Sequence, residues 1–144
     1  MNKTDFTRSK IIAIDFDGTI VDDAYPKIGK PKLFAFETLK QLQKDGHRLI
    51  LWTYRYGEKL IEAIEFCENN GIVFDAVNNN FHGEEFDINT QSRKIHADIF
   101  VDDRNVGGFL GWGEIYISIK EGRNFILNET KKESKPKKKW FSLG

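Results

Sequence analysis

KIIAIDFDGT, residues 10–19, decides the fold. Its first half is an unbroken apolar run, too short for a helix and suited to a strand buried on both faces, and it closes on Asp15-Phe16-Asp17-Gly18-Thr19. Outward from it the same grammar repeats. RLILWT (48–53), IVFDAV (72–77), DIFVD (98–102) and EIYISI (114–119) are four more short apolar runs, one of them interrupted by Asp75. Between the first two lies a helical stripe of Leu33, Phe36, Leu39 and Leu42, with Gly46 as its stop. Residues 58–70 carry a second stripe, Leu60, Ile61, Ile64 and Cys67, ended by Asn69, Asn70 and Gly71. Strand, helix, strand, helix, strand predicts an α/β domain with a doubly wound parallel sheet. NNNFHGEEFDINTQSR (78–93) has no period and reads as a surface loop with a short turn of helix.

A chain of 144 residues has room for one core of moderate extent, so residues 1–130 are expected to form a single domain. Lys plus Arg and Asp plus Glu are both 22, which removes any global pull towards nucleic acid or membrane. The charge is nonetheless uneven. Residues 131–144 hold six Lys against Glu133, a net of +5, so the remainder carries −5. That tail reads as flexible and solvated; it would also suit an acidic partner or nucleic acid, and Trp140 and Phe141 within it would suit docking on the domain or on a second subunit. A single cysteine, no export signal in MNKTDFTRSK and no apolar run near the roughly 20 residues that span a bilayer predict a cytoplasmic protein with no membrane partner.

In open α/β sheets ligands bind at the carboxyl ends of the strands, so the polar residues that close the apolar runs are the candidates. They are Asp15 to Thr19 after the first run, Thr53 after the second and Asp102-Asp103 after the fourth, with Lys94 leading into that fourth run. Acids gathered at one edge repel one another unless a cation lies among them, and a small all-oxygen set suits Mg2+ better than zinc. With Mg2+, Lys94 and the Thr53 hydroxyl balancing the phosphate oxygens, a carboxylate of Asp15 can attack phosphorus in line and form an acyl phosphate. Asp17 can protonate the departing oxygen, then take a proton from the water that hydrolyses the intermediate. Gly18 suits a tight turn that aims amides at phosphate. Arg55 is a further candidate substrate contact, against the plainer reading of a surface ion pair. Arg93 rivals Lys94, His82 reads as a solvated loop residue, Cys67 as an inert core thiol, and Trp52 and Trp112 as core or rim packing.

DFDGT at 15–19, LILWT ending at Thr53, Lys94, and IFVDD ending at Asp102-Asp103 stand in the order of four motifs, and by them the chain resembles the haloacid dehalogenase superfamily of phosphohydrolases over residues 10–119. The resemblance implies a Rossmann-like fold, a phosphoric monoester hydrolase with nucleophile Asp15 and acid/base Asp17, and phosphate contacts from Thr53 and Lys94. It also implies Mg2+ on Asp15, the Asp17 backbone carbonyl and Asp102. In such acidic pairs either member touches the metal while the other acts through water; Asp102 is favoured over Asp103. Cap domains in the superfamily follow the first motif or separate the second from the third. Here only VDDAYPKIGKPK (21–32) follows Ile20, and residues 54–93 are taken up by one helix, one strand and one loop. A capless, open site is expected, with a phosphorylated substrate that is either a small molecule or a macromolecule, or with a lid borrowed from a neighbouring subunit of a homo-oligomer. The alternatives are a phosphoacceptor domain of the response-regulator kind, a phosphotransferase, or a silent binding module. Chain order speaks against the regulator, in which the acidic pair comes first and a lone phosphorylated Asp follows.

Overall fold

Strands form where β-branched and leucine residues run together between polar ends, and helices where the apolar positions fall three and four apart. The computed structural model describes residues 9–122. In chain order these hold β1 (Ile11–Ile14), α1 (Ala35–Lys44), β2 (Arg48–Leu51), α2 (Gly57–Asn69), β3 (Ala76–Val77), β4 (Ile99–Val101) and α3 (Trp112–Lys120). The basic run at 131–139, with Trp140 and Phe141 beyond it, lies outside the described residues.

All four strands are parallel, in the order β3-β2-β1-β4. β1 is central, pairing Ile11–Ile14 with Arg48–Leu51 on one side and Ile12–Ile14 with Ile99–Val101 on the other. Alternate side chains go to opposite faces. Ile12, Ile14, Leu49, Leu51 and Val101 join one cluster with Leu39 and Leu42 of α1, Ala63 and Cys67 of α2, and Trp112, Ile115 and Ile119 of α3. Ala13, Ile50 and Ala76 form the second cluster, closed by Ile95 and flanked by Trp52, Ala97 and Phe100. The three helices thus back one face, and the irregular segment before β4 backs the other. Among the described residues no helix is long and apolar enough to cross a membrane.

Two expected strands come out differently. The run at 72–77 forms a ladder only at Ala76–Val77 because Asp75 turns its carboxylate back to accept the Leu49 N–H at 2.8 Å. Asp98 does the same one strand over, accepting from the Ile11 N–H at 2.7 Å, so each of these aspartates stands in for a ladder partner just before its strand. The run at 114–119 is not a strand at all. It lies in α3, which buries Trp112, Ile115, Ser118 and Ile119 at helical spacing. A short isoleucine-rich run suits either structure, and packing against α1 and the sheet decides.

Candidate active site

From β1 the chain moves outward through β2 to β3, then returns to place β4 on the opposite side of β1. The order reverses between β1 and β4, and a crevice opens there beyond their carboxyl ends. Asp15 follows β1 and donates its N–H to the Val101 carbonyl at 2.9 Å, while Asp102 and Asp103 follow β4. One carboxylate oxygen from each of Asp15, Asp102 and Asp103 lies within 4.8 Å of the others.

Asp15 is only 8% exposed. Burial first, then the Asp102 charge and a hydrogen bond with Asp103, push its carboxyl up to about 8 against the opposing pull of the Thr19 hydroxyl and the Phe16 backbone. Such a carboxylate is poorly stabilised as an anion by this chain alone, and the three acids can hold a metal ion. The donor set fits the hard divalent cation expected of it, being all carboxylate oxygen. The Thr19 hydroxyl, 3.1 Å from Asp15 Oδ2 and 3.3 Å from Asp103 Oδ1, ties the two acids together. Asp102 Oδ1 accepts the Arg104 N–H at 2.8 Å, which fixes its side chain within its own turn.

Gly18 has φ +84°, and a Cβ there would overlap the Asp103 carboxylate, so the acidic pair and the glycine are matched. Its own N–H goes to the Val21 carbonyl at 2.8 Å rather than towards a phosphate. The loop is sealed from behind by Trp112, whose indole N–H donates to the Thr19 carbonyl at 2.8 Å.

Thr53 lies with Asp15, Asp17, Trp52 and Asp102 around a cavity of about 410 Å³. Asn78, left-handed at φ 54°, holds it there by accepting the Thr53 N–H at 2.8 Å. Arg55, a candidate either for substrate contact or for a surface ion pair, points inward and is 1% exposed. Its Nε and Nη2 each donate to one oxygen of Asp17 at 2.7 Å. Its remaining donors meet the carbonyls of Pro26, Lys27 and Lys59. The bonds to Asp17 outweigh desolvation and hold the guanidinium above its ordinary value. Asp17 is therefore absent from the acidic triad; its carboxylate belongs to Arg55. Lys94 does not line the Asp15 cavity; its Nζ lies 5.4 Å from the Phe100 ring centre, in an adjoining cavity of about 430 Å³ that reaches Trp52 and Asp102. Among the described residues no ion pair joins it to an acid of the triad.

Tyr54 and Arg104 complete the rim of the Asp15 cavity, and neither stands out in the sequence except by adjacency to Thr53 and to Asp102-Asp103. Cys67 is fully buried and its thiol is pushed up to about 12 by desolvation, in keeping with an inert role.

Neither a family model nor a curated protein matches the chain. Among solved structures, that of a conserved protein coded by a locus of Bacteroides thetaiotaomicron matches at 52% identity and a TM-score of 0.78, over 83% of this chain and 96% of that one. The chain belongs to the family of that conserved protein. Within this family the parallel α/β fold is therefore shared, and the match spans nearly the whole of the relative.

Proposed function

We propose that this chain is a Mg2+-dependent phosphomonoesterase that works through an aspartyl phosphate on Asp15. The observation that carries the reading is a buried carboxylate at the reversal point of the sheet with Asp102 and Asp103 within 4.8 Å. The order of DFDGT, Thr53, Lys94 and Asp102-Asp103, which resembles that of the haloacid dehalogenase superfamily, supports it from the sequence. Bound Mg2+ would supply positive charge for the anionic substrate and relieve the repulsion among Asp15, Asp102 and Asp103, with the Asp17 backbone carbonyl as a further ligand.

The chain's own groups then divide the work. Asp15 attacks phosphorus, Thr53 offers a hydrogen bond to the phosphoryl oxygens, Lys94 would join it only by leaving the Phe100 ring for the side of its cavity shared at Trp52 and Asp102, and Asp17 exchanges the proton with the leaving group and with water. An open cavity of about 410 Å³ with Trp52, Tyr54 and Arg104 at its sides admits either a small phosphorylated molecule or the phosphorylated end of a macromolecule. A phosphoacceptor domain is the second reading, favoured by one observation: both Asp17 oxygens are held by Arg55, which would slow loss of the acyl phosphate.

The deciding measurement is turnover of an aryl phosphate. Hydrolysis that stops in EDTA, returns with Mg2+ and falls by roughly 10³-fold or more in Asp15→Asn is the expected result. A single stoichiometric release with no further turnover would favour the phosphoacceptor, and full activity in the chelator would remove the metal from the reading.

A further inference from the structure

Two aromatic side chains, Trp52 and Tyr54, flank Thr53 in the chain and line the same cavity as Asp15. Trp52 is partly buried against the second core cluster, whereas Tyr54 is 54% exposed. A lone exposed tyrosine is ordinary on a protein surface. Tyr54 is not alone. Its ring centre lies 5.0 Å from that of Tyr25, the Tyr25 ring centre lies 5.1 Å from the Arg55 guanidinium, and on that guanidinium's other contact the buried Phe16 ring centre is also 5.1 Å away. Phe16, Arg55, Tyr25 and Tyr54 thus make a series of contacts that begins in the core and ends on an aromatic ring in the cavity wall.

The series is held in place along its length. Arg55 donates to the carbonyls of Pro26 and Lys27, next to Tyr25, and to that of Lys59 in α2. Arg104, on the rim of the same cavity, reaches Asp23 at 3.8 Å and ties the segment that carries Tyr25 to the turn after β4. A ring anchored in this way has little freedom left to lose when something covers it, so a planar partner gains the contact at low entropic cost.

We propose that the cavity selects phosphate monoesters whose leaving alcohol carries a planar aromatic ring, and that this ring is bound against Tyr54. The inference rests on the hydrolase reading above, which puts the phosphoryl group between Asp15 and Thr53, so that the alcohol lies in a cavity walled by Trp52 and Tyr54. A nucleobase and a simple aryl group share this chemistry, since each offers a π face to an aromatic side chain.

Two matched pairs of substrates separate ring recognition from leaving-group chemistry. Adenosine 5′-monophosphate and ribose 5-phosphate are both esters of a primary alcohol and differ by the base. Benzyl phosphate and cyclohexylmethyl phosphate differ by the planarity of the ring. With Mg2+, kcat/KM should favour the planar member by roughly tenfold, as expected for one ring stacked on an aromatic side chain. Tyr54→Leu should bring that ratio to within about threefold of unity, and Tyr54→Phe, which keeps the ring, should leave it within about threefold of the parent's. A ratio cancels any difference in folded fraction. Selection in the nucleotide pair identifies a base as the ring recognised, and selection confined to the benzyl pair identifies an aromatic alcohol of another kind. A parent that prefers neither planar member, or a preference that survives in Tyr54→Leu, would overturn the proposal and leave the hydrolase reading standing. Should Tyr54→Leu fail to fold, the ratio is read from Tyr54→Gln, and failure of both variants to fold makes Tyr54 part of the scaffold and overturns the proposal too. A parent chain that releases phosphate from none of these esters but does so from 4-nitrophenyl phosphate overturns this inference alone; one that releases phosphate from none of them overturns the hydrolase reading with it.

Discussion

Burial and two neighbouring acids push Asp15 up to about 8 from its ordinary 3.8, and the consequence reaches beyond catalysis. Between those values the folded chain holds a proton that the unfolded chain has released, so without a cation stability falls as pH rises through that window. Melting temperature in a chelator should therefore decline from pH 5 to pH 9. Asp15→Asn removes the titrating group, so its curve should be flatter and should lie above the parent's at pH 8 by several degrees, at roughly 4 °C per kcal/mol. A variant with the parent's slope would show that another group carries the effect. At this scale the sequence was legible where chemistry depends on residue type and spacing: DFDGT and the acidic pair announce the triad that forms. Arg55 was not legible in the same way. Its position two residues after Thr53 says nothing of direction, which is set by the carbonyls of Pro26, Lys27 and Lys59 and by the paired carboxylate of Asp17.

α3 is the element whose type the sequence hid, because Ile115, Ile117 and Ile119 alternate as in a strand. Only Trp112, three residues before Ile115, discloses the helical period, and Gly111 and Gly113 around it obscure that signal. The helix contains the one buried side-chain polar atom without a partner among the described residues, the Ser118 hydroxyl. An unpaired buried hydroxyl is penalised by its lost hydration, and Ala is the better helix former. Ser118→Ala should accordingly stabilise the fold by about 0.5–1.5 kcal/mol, read from denaturant midpoints at unchanged slope. A loss of stability would mean that the hydroxyl finds a partner in solution. For β3, Asp75 in an otherwise apolar run was visible, but its bond back to Leu49 needs the neighbouring strand to be in place.

The molecule as a whole is uneven across its sheet. Alternation along β1 and β2 foretells two buried faces, yet nothing in it says that α1, α2 and α3 would share one of them and leave residues such as Ile95 and Ala97 to cover the other. The parallel topology follows from the succession of elements, whereas the reversal between β1 and β4 arises from a connection of 21 residues, 78–98, with no period to read. That reversal has a dynamic consequence. β4 joins β1 through three residue pairs, whereas β2 joins it through four and holds β3 on its other side. A cation shared by Asp15, Asp102 and Asp103 would clasp the ends of β1 and β4, and its binding energy is available only while that short ladder is closed. Amide hydrogen exchange should record it: adding Mg2+ should slow exchange in a peptide spanning 99–103, by up to a factor of one plus the ratio of free Mg2+ to its dissociation constant, and leave 48–51 nearly unchanged. Equal slowing of both, or of neither, would mean that the ion does not bridge these two strands.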